Sequence, residues 1–212
     1  MKDEKMTANT RSGKSTSNDK GRVLLPIARS AISSALGRVL QADENAPWLL
    51  ENGACFVTLT QNGALRGCIG TLEAHRPLLQ DVKANAQAAA FRDTRFSPLA
   101  AAELDSTEVE ISLLSAMQPM QFSGQRDALK QLKPGVHGVV FEFGRHRSTF
   151  LPQVWEQLPS VVEFMAHLKY KAGLSPDFWA EEVRLSCYTV KKWKESDVPE
   201  AADSSVESIG AS

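Results

Sequence analysis

The stretch Asn62-Gly63-Ala64-Leu65-Arg66-Gly67-Cys68-Ile69-Gly70 decides how this chain folds. Asn-Gly supplies the two positive-φ residues of a tight hairpin turn. Before it, residues 54–60 alternate Cys55, Val57 and Leu59 against Ala54, Phe56 and Thr58, which is the period of a strand. Residues 54–60 and 64–70 are therefore predicted to be the arms of an antiparallel hairpin. Gly67 and Gly70 strip side-chain bulk from the second arm and admit a ligand or another backbone. In a regular strand Arg66 and Cys68 project to one face, where a guanidinium stabilises a thiolate. Arg66, Gly67, Cys68 and Gly70 thus mark a candidate site. Cys68 is a nucleophile or covalent carrier if exposed, and an inert small hydrophobe if buried.

Upstream, Val23, Leu24, Ile27, Ala28, Ala31, Ile32, Ala35, Leu36, Val39 and Leu40 recur at helical spacing, with Pro26 near the first turn. Downstream, Pro77 opens a second helix whose stripe is Leu78, Val82, Ala86 and Ala89, and its many alanines allow close packing on a sheet. Val109, Ile111 and Leu113 alternate with Glu108, Glu110 and Ser112 as a strand with one wet face. Residues 138–143 and 148–151 form a second predicted hairpin across Gly144. A third helix carries Val161, Phe164, Met165 and Leu168 and stops at Gly173. Residues 183–189 read as a closing strand. Strands mixed with helices, without a repeat of fixed period, predict an α+β fold. Residues 1–20 and 197–212 lack periodic apolar positions and are predicted to be disordered tails around a domain at 21–196.

With 42% hydrophobic and 23% charged residues over 212 positions, the chain has enough apolar side chains for a sizeable core. A formal charge of −1 gives no global reason to expect nucleic acid or an acidic membrane as partner. Three cysteines without CxxC spacing leave one unpaired in any disulfide scheme and do not spell a zinc site. No run approaches the ~20 apolar residues of a membrane span. A reducing cytoplasm is the expected compartment.

Several other side chains are chemical candidates. His137, beside Gly138 at a strand entrance, is the best-placed histidine to serve Cys68 as base, or else to bond backbone at its turn. Arg92, Asp93 and Arg95 cluster where the second helix ends, as an anion-binding patch or a structural Arg–Asp network. Gln153 can orient a polar ligand. No P-loop, dinucleotide fingerprint, HExxH or nucleophile-elbow serine is present. No metal-ligand set or cofactor motif is read.

Residues 65–70 resemble the signature of the AMMECR-type domain, called AmmeMemoRadiSam system protein A in bacteria. Phe91-Arg92-Asp93 with Arg95-Phe96-Ser97-Pro98-Leu99, then Val136-His137-Gly138, then Leu151-Pro152-Gln153-Val154 resemble that family's later motifs in the same order. Together they span residues 21–194. The resemblance implies a mostly antiparallel sheet flanked by helices, with a smaller lobe and a cleft between. It also implies a pathway shared with Memo-like and radical SAM proteins. Any iron–sulfur cluster would belong to the latter, since three scattered cysteines do not form a cluster-binding run. The expected function is binding or processing of a small anionic or carbonyl ligand at a cleft lined by Arg66 and Cys68. The alternative is a non-catalytic adaptor in which Cys68 is structural.

Overall fold

Two four-stranded antiparallel sheets carry the structure, a computed structural model that describes residues 19–198. In chain order the first half supplies α1 (Asp19–Ala35), β1 (Asn52–Gly53), β2 (Cys55–Gln61), β3 (Ala64–Gly70), β4 (Arg76–Pro77), α2 (Leu78–Phe91) and β5 (Thr107–Leu114). The second supplies β6 (Gln118–Pro119), α3 (Gln125–Gln131), β7 (Gly138–Phe143), β8 (His146–Phe150), α4 (Val161–Lys171), β9 (Arg184–Tyr188) and β10 (Val190–Lys194). The first sheet has the order β10-β5-β2-β3 and the second β6-β9-β7-β8, while β1 and β4 form a short ribbon. The fold is α+β, as the mixed pattern predicted.

Asn62 at φ 50° and Gly63 at φ 78° make the expected turn between β2 and β3. The alternation of β2 continues into β5, so Cys55, Val57, Leu59, Val109 and Ile111 share one face. That face is buried under α1 and α2, against Leu24, Ile27, Ile32, Val82, Ala86 and Ala89. Each fully buried Leu or Ile stabilises the fold by about 1.5–3 kcal/mol. The small side chains of α2 bring it very close to β3: a Cβ on Gly67 would lie 2.2 Å from the carbonyl oxygen of Ala89.

The first helix is shorter than its apolar spacing suggested. Gly37 adopts φ 76°, the Arg38 N–H donates to Ser33 O (2.9 Å) and the Gly37 N–H to Ser34 O (3.1 Å). This paired closure ends a helix at a left-handed glycine. Val39 and Leu40 consequently leave the stripe, and Val39 is 80% exposed. The helix begins at Asp19, and a 3₁₀ turn covers Glu195–Asp197, so both predicted tail boundaries fall inside ordered elements. The rest of the predicted tails, 1–18 and 199–212, lies outside the described residues.

The second lobe packs α3 and α4 on its sheet around Phe141, Leu168 and Leu185, with Trp155 stacked on Phe164 at 3.6 Å. Ala54, Leu114, Val140 and Tyr188 form a seam between the two sheets. The chain crosses the seam twice, after β5 and again at Thr189, where β9 of the second sheet runs on into β10 of the first.

Candidate ligand-binding cleft

The face of the first sheet turned away from α1 and α2 carries the other half of the alternation. Two cross-strand rows result: Cys68, Thr58, Glu110 and Lys194 on β3, β2, β5 and β10, then Gly70, Phe56, Ser112 and Lys192 on the same strands. Leu151, Pro152, Gln153 and Glu156 of the second lobe stand opposite. Between them is a cleft of about 510 Å³, also lined by Leu65 and Arg95.

Arg66 does not line this cleft, contrary to the expectation from strand period. The β2–β3 register shifts between Leu59 and Thr60: Leu59 pairs with Gly67, Thr60 with Leu65, and Arg66 is the extra residue. Such a bulge re-aims one side chain. Leu65 and Cys68, three positions apart, therefore share the cleft face, while Arg66 is buried against Glu103. Its Nε donates to Glu103 Oε1 (3.0 Å), its Nη2 to Oε2 (3.1 Å) and its Nη1 to Ser97 O (2.9 Å). The Arg66 hydrogen bonds, seconded by the Ala100 N–H, pull the Glu103 carboxyl down to about 2.

Cys68 is half-buried on the edge strand, and the Thr58 hydroxyl donates to its Sγ at 3.3 Å. An outward-turned residue of an antiparallel edge strand has neither its N–H nor its C=O paired within the sheet, and the loop after α2 supplies the substitutes. The Cys68 N–H donates to Asp93 Oδ2 (2.9 Å), and Arg95 Nη2 donates to Cys68 O (3.3 Å). Arg95 also grips both oxygens of Asp93, through Nε (2.9 Å) and Nη2 (2.6 Å). These bonds, then the Cys68 N–H, hold the buried Asp93 carboxyl well below the usual range. The Arg–Asp cluster is thus a structural brace for the cysteine, and Arg95 is also a wall of the cleft. Arg92 belongs to neither: it is exposed and its Nη2 points back along α2 to Ala84 O (3.4 Å). Gly67 is where α2 meets β3, and Gly70 lies under the ring of Phe56.

The structure does not bring His137 to Cys68. The imidazole lines a separate cavity with Cys187 and Met120. Its Nδ1 accepts the Lys133 N–H (3.2 Å), and its carbonyl accepts from Trp155 Nε1 (2.7 Å). The Lys133-Pro134-Gly135 turn carries the histidine away from the cleft, leaving only Gly135 on its rim. Burial, then Lys133, pushes the imidazole below its ordinary range. The other two thiols are buried. Cys55 is raised by burial and by Asp81, and burial lifts Cys187 to about 11.

Thr58, Ser112 and Lys192 are cleft residues that sequence reasoning did not nominate, and Glu110 is one that it placed only on the wet face of its strand. The signal for three of them was present, since they occupy the solvent phase of the β2 and β5 alternation. Lys192 gave none, because β10 was not anticipated. Among the described residues no group of three His, Cys, Asp or Glu side chains is arranged to hold a metal ion. No described helix is long and apolar enough to cross a membrane.

The AMMECR1 family model matches residues 25–193. A protein of Methanosarcina acetivorans is 37% identical over 186 residues, covering 84% of this chain and 92% of the relative. Protein MJ0810 of Methanocaldococcus jannaschii is 34% identical over 186 residues, covering 84% and 90%. The crystal structure of the uncharacterized protein PH0010 from Pyrococcus horikoshii matches with a TM-score of 0.68 at 31% identity, over 84% of this chain and 92% of that one.

Proposed function

This chain belongs to the AMMECR1 family, and on that premise we propose that it binds or processes a small anionic or carbonyl ligand in the cleft, with Cys68 as the group that meets it. One observation carries the reading: of the three thiols only Cys68 is not buried, and it opens into a cleft beside hydrogen-bond donors. The Thr58 hydroxyl donates to Sγ and fixes the direction in which the sulfur faces the cleft. Arg95 and Lys192 supply donors to a negative ligand group, on a lining that also carries Glu110 and Glu156. Arg66, committed to Glu103, takes no part.

A carbonyl ligand can be held covalently without any oxidant. The Cys68 thiolate adds to the carbonyl carbon, an S–C bond forms, the C=O π pair moves to oxygen, and that oxygen takes a proton. The product is a thiohemiacetal, and reversal releases both partners. The pathway partners implied by the motifs, a Memo-like protein and a radical SAM protein, would supply or consume such a ligand. A cytoplasmic setting would keep the thiol reduced.

Limiting iodoacetamide followed by peptide mass mapping tests the assignment. Cys68 should be modified first. At pH 8 a thiol at about 11 is ionised to about one part in a thousand, so Cys187 should follow only as pH rises. Labelling led by Cys55 or Cys187 would return Cys68 to a packing role and favour a non-catalytic adaptor.

A further inference from the structure

The guanidinium of Arg95 is committed along one edge only. We infer that its free Nη1 is the oxyanion donor for addition to Cys68, so that the cleft takes a neutral aldehyde and holds it as a thiohemiacetal. This rests on the cleft reading above and chooses between its two ligand classes.

Arg95 Nε donates to Asp93 Oδ1 (2.9 Å), and Nη2 donates to Asp93 Oδ2 (2.6 Å) and to Cys68 O (3.3 Å). Those bonds use the edge of the planar fork that faces Asp93 and leave both N–H groups of Nη1. Among the described residues Nη1 meets no acceptor. The side chain is half-exposed and lines the cleft with Cys68. Asp93, itself buried and bonded to the Cys68 N–H, fixes the fork, so the donor is set before any ligand arrives. Donors fixed in this way stabilise charge that develops on a reacting oxygen.

The distance fits. A cysteine Sγ lies within about 5 Å of its own carbonyl oxygen, so the bond to Cys68 O keeps the guanidinium within about 8 Å of the sulfur. An S–C–O adduct with a hydrogen bond to its oxygen spans about 5 Å. Asp93 foremost, and Cys68 as well, raise the Arg95 pKa, so the guanidinium senses the sulfur.

Charge decides between an aldehyde and an anion. Arg95 is already paired with Asp93, Lys192 stands 3.8 Å from Glu110, and Glu156 lines the same cleft. A ligand that carries a full negative charge finds no unpaired cation in this lining. A neutral carbonyl needs none. The Cys68 S–H adds across its C=O: the S–C bond forms, the π pair moves to oxygen, and the thiol proton ends there. Nη1 keeps its own protons and donates to that oxygen throughout. Phe56, Leu65 and Leu151 give the rest of the aldehyde an apolar surround.

Butyraldehyde and butyrate test this as protectants of Cys68 against limiting iodoacetamide, read by peptide mass mapping. Glutathione in the same assay reports a thiol with no donor beside it. Butyraldehyde should half-protect Cys68 at about one tenth of the concentration that glutathione needs, as expected for one hydrogen bond to a charged group. Butyrate should not protect. Arg95→Lys keeps a cation beside Asp93 but loses Nη1, and should return the half-protecting concentration to that of glutathione. Each concentration is read against that variant's own unprotected rate, so an altered exposure of Cys68 cancels. Protection no better than that of glutathione, undiminished protection in Arg95→Lys, or protection by butyrate overturns the oxyanion donor and leaves Cys68 as the cleft thiol. The wild-type comparison with glutathione decides even if Arg95→Lys does not fold. If Cys55 or Cys187 is labelled ahead of Cys68, the cleft reading and the oxyanion donor fall together.

Discussion

Two corners of the molecule each place a cysteine and a basic side chain around one cavity: Cys68 with Arg95, and Cys187 with His137. They differ in what surrounds the sulfur. Cys68 is on an edge strand, its backbone held by Asp93 and Arg95 and its Sγ bonded by a hydroxyl. Cys187 is on an interior strand, paired with Val139 of β7, with the Met120 sulfur at 3.1 Å and burial raising its pKa to about 11. Proximity of a thiol and a base therefore does not define a reactive site. An open strand edge braced by polar side chains does so better, because it leaves the sulfur in contact with both solvent and donors.

The largest expected effect breaks the Cys68 corner at its backbone. In Gly67→Ala the new methyl meets the Ala89 carbonyl at 2.2 Å, and a helix carbonyl cannot rotate aside. Either α2 or β3 must shift, so chemical denaturation should show a loss of about 1–3 kcal/mol. A loss within about 0.5 kcal/mol, the range of an ordinary surface change, would show that the helix–strand contact is loose and the brace is not rigid.

Asp93→Ala should act next. It leaves the Cys68 N–H without its acceptor and frees Arg95, at a cost of about 1–2 kcal/mol once the half-exposure of Arg95 is allowed for. Its more telling readout is chemical: iodoacetamide should lose selectivity for Cys68 as the edge frays. The corresponding truncation beside Cys187, Met120→Ala, should leave Cys68 selectivity unchanged. Equal shifts in both variants would erase the contrast between the corners.

Arg66 predicts a pH effect rather than a reactivity effect. Glu103 has a folded pKa of about 2, below the ~4.3 of an unfolded glutamate. A lowered carboxylate pKa stabilises the fold above the unfolded value, and that contribution disappears as pH falls towards the folded one. The melting-temperature gap between wild type and Glu103→Gln should thus be full above about pH 5 and shrink between about pH 4 and 2. Parallel curves would mean that the Arg66–Glu103 pair contributes nothing to stability.

The parts legible in sequence were those governed by local rules. Asn62-Gly63 announced the hairpin, the apolar alternation announced β2 and β5, and Pro77 announced α2. Gly37 was equally visible, but an uninterrupted apolar spacing through Leu40 outweighed it. Arg66 was misplaced because a bulge depends on how closely α2 approaches β3, which no single-strand pattern contains. Lys192 was missed because β10 carries three lysines and buries mainly Trp193, so its strand character comes from pairing with β5 rather than from its own composition. His137 was assigned to the wrong cavity because adjacency to Gly138 says where the strand begins, not which way the preceding turn faces.

That last point gives the smallest expected effect and the sharpest test of the comparison. If the open edge and its donors make Cys68 reactive, removing His137 should leave the rate of Cys68 alkylation where it is. His137 lines the other cavity, its Nδ1 accepts the Lys133 N–H, and it makes no hydrogen bond to the sulfur. Stability is a separate matter, because His137→Ala removes an acceptor at the Lys133-Pro134-Gly135 turn and should lower the melting temperature modestly. The two readouts are therefore expected to part company, with a changed unfolding curve and an unchanged labelling rate. Thr58→Val is the matching control on the other side, since it deletes the one hydroxyl bonded to Sγ and should slow Cys68 labelling at fixed pH. A His137→Ala labelling rate slowed like that of Thr58→Val would restore the histidine as partner of Cys68 and collapse the distinction between the corners.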